Sequence, residues 1–345
     1  MEEQGTIIGI DVAKVSAWLD ATIDSFTSPY VFTLIAGGRS NLTYRVTDAS
    51  GRVLALRRPP TGHILPTAHD MVREHTLLKA LERGAIPAPR VYGICTDPLI
   101  NEHPFYLMDF VDGIILRNET EAMAQSAELR AAAGSNLAHT LAELHRVVPA
   151  DVGLGEFAKT EHYVARQLKR WSRQYEQMKL DTVSDGLVEK VAARLGESIP
   201  DQQAGTIVHG DYRLSNTVID AQGAVKAILD WEICTLGDPL ADVGMMLIYW
   251  PEPTDTLFAL TDESPSAAPG FASRDELLAA YAAVSPFDLS QIDYYRAFAF
   301  WRLACILQGV YFRQVSGAGG GNRGSVAHFP AHIAALTQAA AELLD

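Results

Sequence analysis

The sequence predicts an α+β fold in which the strands come first and most of the helices later. Short β-branched runs separated by turn residues fill the stretch from Tyr30 to Arg58, whereas from Leu137 onward apolar residues recur mainly at helical spacing. A third observation sets the scale: 345 residues, 48% hydrophobic and 20% charged, can bury a sizeable core as one two-lobed unit or two domains.

Taken in order, Val15, Trp18 and Leu19 predict a leading helix over Val12 to Ile23. Strands are then expected at Tyr30 to Ile35, Leu42 to Thr47 and Val53 to Arg58, the last two joined by Asp48-Ala49-Ser50-Gly51. Between the first two lies Ala36-Gly37-Gly38-Arg39-Ser40-Asn41, where the glycines allow a close backbone approach and offer amide donors to an anion. A double glycine alone equally marks a plain hairpin turn. Of the two arginines closing the third strand, Arg58 is the one expected at an exposed edge. Thr67-Ala68-His69-Asp70 is expected to open a helix, as an N-cap with an acid three residues on. Met71, Leu78 and Leu81 share one face of that helix with Glu74, which either has a partner there or lies at the edge of the stripe in solvent. Phe105 to Gly113 reads as a strand running into a turn.

Further on, Leu137, Leu141, Leu144 and Val148 define an amphipathic helix ending before Pro149, with His139 and His145 read as packing or surface residues. A second amphipathic helix, Thr160 to Leu180, carries Val164, Leu168, Trp171, Tyr175 and Met178 on one face. Arg166, Lys169, Arg170 and Arg173 lie on the other. The apolar stretch Ala297 to Phe312, broken by Arg302 and Gln308, is too short to span a bilayer and reads as a buried helix. Ser316 to Gly324, with five glycines, predicts a surface loop.

A formal charge of -14 argues against a nucleic-acid binder, which needs a basic face. Cys95, Cys234 and Cys305 are far apart among apolar neighbours, so buried free thiols in a reducing cytoplasm are expected. Met1-Glu2-Glu3-Gln4 lacks the basic start and apolar run of a signal peptide, and neither secretion nor membrane association is expected.

The most informative stretch is Ile207-Val208-His209-Gly210-Asp211-Tyr212-Arg213-Leu214-Ser215-Asn216, followed by Val225 to Glu232. Thr206-Ile207-Val208 reads as a buried strand ending in a loop that bears Asp211 and Asn216. Val218-Ile219 and Val225 to Leu229 form a hairpin about Asp220-Ala221-Gln222-Gly223, which is expected to return Asp230 toward Asn216. Two carboxylates and a carboxamide converging at one end of a small sheet can hold Mg²⁺ and orient a hydroxyl. Taken singly, an Asp or Asn in a loop only caps and turns the chain.

His-Gly-Asp with Asn five residues after the Asp, then Asp-Trp-Glu, resembles the catalytic loop and metal-binding Asp of the aminoglycoside phosphotransferase and choline kinase branch of the protein-kinase-like superfamily. The resemblance implies a two-lobed protein-kinase-like fold. A small antiparallel-sheet lobe with one main helix would span residues 1–109, and a larger, mostly helical lobe 110–345. It implies Asp211 as the catalytic carboxylate, and Asn216 and Asp230 as ligands of Mg²⁺. Gly-Gly-x-Ser-Asn-x-Thr-Tyr is similar to the family's nucleotide-covering loop, which assigns Gly37, Gly38, Ser40 and Asn41 to ATP. Leu54-Ala55-Leu56-Arg57 stands where kinases carry Val-Ala-Ile-Lys, so Arg57 replaces the usual Lys and Glu74 is its implied partner. The backbone of Asp109 and Val111 is implied to bond the adenine edge, and Asp242 in Gly237-Asp238-Pro239-Leu240-Ala241-Asp242 to brace the catalytic loop.

The implied activity is transfer of the γ-phosphoryl group of ATP to a small-molecule hydroxyl. Two acceptor classes stay open. Residues 251–295, with eight acids against Arg274, suit a cationic polyamine sugar. The basic helix instead suits an anionic acceptor such as a hydroxyacyl-CoA. Leu-Arg-Arg-Pro-Pro and His-Asp-Met-Val-Arg-Glu resemble the kinase domains fused to acyl-CoA dehydrogenases. A nucleotide-binding pseudokinase is the non-enzymatic alternative. Oligomeric state is not assigned.

Overall fold

The computed structural model describes residues 7–36, 41–61, 69–180, 186–252, 255, 264–317 and 326–345. The expectations for Gly37, Gly38, Ser40 and most of the Ser316 to Gly324 loop therefore lie outside the described residues. The chain forms two compact units, Met1–Asp112 with Ala227–Glu232, and Gly113–Lys226 with Ile233–Asp345.

The smaller unit is built on an antiparallel sheet of β1 (Val31–Ala36), β2 (Leu42–Thr47), β3 (Val53–Arg58), β4 (Val91–Cys95) and β5 (Phe105–Asp109), in the order β1-β2-β3-β5-β4. Alternation sorts its side chains. Leu54 and Leu56 enter a core shared with Val15 and Leu19 of α1 (Val12–Thr22), together with Tyr44, Val46, Phe105 and Leu107. Trp18 meets Phe105 edge to face at 5.0 Å. Arg57 alternates with Leu56, and the register sets it opposite Thr43 on β2 and Tyr106 on β5. Helix α2 (Met71–Leu81) carries Glu74 among its buried residues, with Met71, Leu77, Leu78 and Leu81.

Two expectations need correction here. The N-cap of α2 is Asp70, whose carboxylate accepts from the Arg73 amide at 3.0 Å, so the helix begins at Met71 rather than at the Thr67 box. Arg58 is not an exposed edge residue. It is buried at 1% exposure because its guanidinium donates to the carbonyls of Pro59 and Gly9. Gly9 has φ +71, and a Cβ there would collide with that guanidinium.

The larger unit is mostly helical: α3 (Glu119–Met123), α4 (Ala127–Arg146), α5 (Tyr163–Met178), α6 (Leu187–Glu197), α7 (Leu240–Ile248), α8 (Arg274–Ala282), α9 (Ile292–Val315) and α10 (Phe329–Glu342). Helix α9 is the buried helix expected over Ala297 to Phe312, and it packs against α5, α6, α7 and α10. Gly244 on the buried α7 faces the Tyr295 carbonyl so closely that no Cβ fits, which lets α7 and α9 approach. Helix α4 begins ten residues before Leu137 because Ser126 caps its Leu129 amide. Two short ladders carry the loop of interest. Strand β6 (Thr206–Val208) pairs antiparallel with β9 (Thr235–Gly237), and β7 (Thr217–Ile219) pairs with β8 (Val225–Ile228). Cys95, Cys234 and Cys305 are buried free thiols. Among the described residues, no helix is long and apolar enough to cross a membrane.

Candidate active site

The smaller unit gathers an ionic cluster around Arg57. Its Nε lies 3.1 Å from Glu74 Oε1, and one terminal nitrogen lies 2.6 Å from Asp230 Oδ1 and 3.7 Å from Glu232 Oε2. The strand register brings Thr43 Oγ1 to 3.5 Å as well. Asp230 reaches Arg57 from a residue with φ +62, a left-handed conformation that a short polar side chain tolerates. Behind that turn Trp231 is buried, donating to the Ile228 carbonyl at 2.9 Å, while the Ile228 amide donates to Pro87 O at 2.7 Å. The carboxylate is thus aimed by packed backbone.

Burial opposes the charge of Arg57, but Glu74 and then Tyr106, Asp230 and Glu232 outweigh it and hold the guanidinium firmly protonated. Glu74 behaves differently. Burial pushes its carboxyl up to about 7; Arg57 pulls it down, and Asp230 and Glu232 push it further up. One cation therefore faces three carboxyl groups, a surplus of negative charge that suits a divalent ion. Glu232, which the sequence reading left without a role, also accepts from Asn41 Nδ2 at 3.0 Å and lies 3.6 Å from His69 Nδ1.

The larger unit holds the loop that follows β6. Asp242, at the start of α7 and 1% exposed, accepts from the amides of His209 at 2.6 Å and Gly210 at 2.7 Å. Gly210 has φ +87, and this turn lets two successive amides point to one carboxylate. Burial raises the Asp242 carboxyl, but His145 beside it, His209 and the Gly210 amide outweigh burial and hold it below the usual carboxylate range. His145 Nε2 lies 3.4 Å from Asp242, and its Nδ1 lies 2.8 Å from the Tyr281 hydroxyl. His209 Nδ1 accepts from the Asp211 amide at 3.2 Å.

Asp211 emerges from this support partly exposed. Asn216 Nδ2 donates to the Asp211 carbonyl at 2.8 Å and to its Oδ2 at 2.9 Å. Both amide hydrogens of Asn216 are thus committed, and its carboxamide oxygen is the atom left to act as a ligand, a hard donor of the type Mg²⁺ takes. Arg213 Nε lies 3.5 Å from Asp211 Oδ2, and its guanidinium stacks 4.8 Å from the centre of the Tyr249 ring.

Asp211 and Asn216 meet in the larger unit, and Arg57, Glu74, Asp230 and Asn41 in the smaller. Asp109 ends β5 with its amide donating to Arg90 O at 2.8 Å and its carboxylate accepting from the Tyr92 hydroxyl at 2.7 Å. Val111 follows on the last stretch before the chain passes into the larger unit at Gly113. Sequence reasoning missed His145, Tyr281 and Glu232. A helical His is weak evidence by itself, and the only available signal for Glu232 was its place two residues after Asp230.

Residues 31–287 match the model of the Phosphotransferase enzyme family. Acyl-CoA dehydrogenase family member 10 of Mus musculus is 35% identical over 297 residues, which are 84% of this chain and 27% of that protein. The chain thus spans about a quarter of the length of that relative. A solved structure from Ralstonia eutropha JMP134, assigned to the aminoglycoside phosphotransferases, is 26% identical with a TM-score of 0.81 over 97% of this chain and 98% of that one. Amicoumacin kinase, solved in complex with AMP-PNP, Ca²⁺ and Ami, shares the fold at TM-score 0.61 and 15% identity, over 96% of this chain and 94% of that one. With its antiparallel-sheet unit, its helical unit and the match over residues 31–287, the chain belongs to the phosphotransferase enzyme family and has a protein-kinase-like fold.

Proposed function

We propose that the protein transfers the γ-phosphoryl group of ATP to a hydroxyl group of a small anionic or neutral acceptor, with Mg²⁺ as the metal. The observation that carries this reading is the Asp211–Asn216 pair on a loop braced by Asp242. A carboxylate fixed on one oxygen by an amide can take the acceptor hydroxyl's hydrogen bond on the other. Asn216, through its remaining oxygen, and Asp230 hold Mg²⁺, which supplies charge neutralisation at the phosphates when bound. Arg57, oriented by Glu74, contributes a fixed positive charge and a fork of donors to phosphate oxygens. Gly37, Gly38, Ser40 and Asn41 cover the nucleotide. With the Asp109 amide spent on Arg90, the adenine edge is left to the Asp109 carbonyl and the Val111 amide. Such a site works by positioning and charge placement.

The choice of an anionic or neutral acceptor over a cationic one is supported by how the acids of residues 251–295 are used. Glu252 and Asp255 pair with Arg274, Glu276 closes a capping box with Ser273, Asp288 caps Ser290, and Asp293 pairs with Arg296. Asp262 and Glu263 lie outside the described residues.

A panel of hydroxylated acceptors assayed for ADP release tests the reading, followed by two variants on the responding acceptor. Asp211→Asn is expected to lower kcat by about a hundredfold or more with little change in MgATP affinity, whereas Asp230→Ala loses Mg²⁺-dependent nucleotide binding. Near-normal turnover in Asp211→Asn would remove Asp211 from the chemistry. Binding of MgATP with no ADP release from any acceptor would leave a nucleotide-binding module.

A further inference from the structure

Helix α9 contains a cation that nothing in the phosphoryl-transfer machinery uses. Arg302 is 5% exposed, and among the described residues it makes no hydrogen bond or ion pair; its Nε is sealed from water without a partner. What it does have is an aromatic wall. Its guanidinium lies 5.6 Å from the centre of the Trp171 ring on α5, and Arg170 approaches the same ring at 5.3 Å. A cation–π contact contributes about 0.5–2 kcal/mol, whereas stripping water from a charged group costs several kcal/mol even after relaxation. The contact does not offset the burial. The other buried arginines described have oxygen partners: Arg58 has two backbone carbonyls, and Arg130 has the carbonyls of Ala122, Gln125 and Pro269; the half-buried Arg57 has carboxylates.

The position of Arg302 says what its missing oxygen partner belongs to. Arg302 lies on α9, which packs against α7, and Tyr249 is the residue that ends α7. Burial and the charge of Asp211 push the Tyr249 phenol up, while Arg213 and Arg302 pull it down, so one hydroxyl senses Asp211 and Arg302 together. Arg213 in turn stacks on Tyr249 and reaches toward Asp211. All of these residues belong to the larger unit.

We propose that Arg302, walled by Trp171, is the anion-binding element of the acceptor site: it receives a carboxylate or phosphate group carried by the molecule whose hydroxyl Asp211 orients. The bidentate fork of a guanidinium matches either group. The exposed Arg170 contributes attraction at longer range, which salt screens, whereas the contact to the buried Arg302 is screened little. This proposal rests on the phosphotransferase reading and narrows its substrate class to hydroxylated oxyanions.

The test is calorimetric titration of the full chain with inorganic phosphate and, separately, with acetate, in the absence of nucleotide and divalent metal, with MgATP binding measured in parallel. Wild-type protein is expected to bind at least one of these anions saturably at one site per chain. Arg302→Gln should weaken that binding about tenfold or more at unchanged MgATP affinity. Tighter phosphate binding assigns a phosphate-bearing acceptor, and tighter acetate binding a carboxylate. Equal anion affinity in Arg302→Gln, or no saturable anion binding by a wild-type protein that binds MgATP, overturns the proposal. Should Arg302→Gln lose MgATP binding through misfolding, Arg302→Lys carries the test. It keeps the charge and loses the fork, so anion affinity should fall several-fold, and an unchanged affinity again overturns it. A wild-type chain unable to bind MgATP sinks the phosphotransferase reading instead.

Discussion

Glu74 and Asp242 are both carboxylates sealed from water, at 3% and 1% exposure, and they are shifted in opposite directions. Glu74 faces one guanidinium that it shares with Asp230 and Glu232, and burial wins, so its carboxyl titrates near pH 7. Asp242 is as deeply buried but receives two backbone amides and a histidine, and there the donors win. Burial alone therefore does not set the protonation state of a site carboxylate; the number of donors that belong to it alone does. The difference suits two tasks. Asp242 is a fixed brace for a loop, whereas Glu74 belongs to a cluster whose charge balance changes when a metal or phosphate arrives.

The largest effect is expected at the brace. Asp242→Ala leaves the amides of His209 and Gly210 and the ring of His145 without their acceptor. A loss of about 3–5 kcal/mol in denaturant unfolding is expected. A loss below about 1 kcal/mol would show that water replaces the carboxylate, and the contrast with Glu74 would collapse.

Next in size is the pH dependence at Glu74. Its folded pKa, about 7, lies above the 4.5 of a free glutamate, so the folded state holds the proton more tightly. The stability this gives is fully present below about pH 4.5 and is lost as pH rises through about 7, a change on the order of 3 kcal/mol. Glu74→Gln should flatten the unfolding free energy across that window. The depressed pKa of Asp242 acts with the opposite sign, contributing stability above 3.8 that is lost on acidification. If Glu74→Gln kept the full slope between pH 4.5 and 7, the contrast between the two carboxylates would be wrong.

The smallest expected effect sharpens the account of Asp242. Tyr281→Phe removes the hydroxyl from His145 Nδ1 and should cost about 1 kcal/mol, because the two amides remain in place. A loss as large as that of Asp242→Ala would shift the bracing from the amides to the His145–Tyr281 chain.

The sequence by itself determined the elements whose signal is local. Periodicity placed β2 and β3 at their observed limits and the buried helix within α9, because alternation and helical spacing report burial directly. The joint spacing of His-Gly-Asp, Asn and Asp-Trp-Glu, through its resemblance to a known catalytic loop, singled out Asp211, Asn216 and Asp230. Capping was less legible: the sequence put the N-cap at Thr67 with Asp70 as the acid three residues on, and the geometry makes Asp70 itself the cap. What tertiary structure decided is which polar residues share an environment. Arg57 and Arg58 are chemically identical neighbours, and strand alternation with the register against β2 and β5 puts one among carboxylates and the other under Gly9. His145, Tyr281 and Asp242 are separated by 136, 39 and 97 residues pairwise and meet only through the packing of their helices. Arg302 interrupts an apolar run in the sequence, but that it meets no oxygen partner among the described residues is a fact of three-dimensional packing. Local patterns encode which face is buried; pairing between distant charges depends on long-range contacts that no local pattern records.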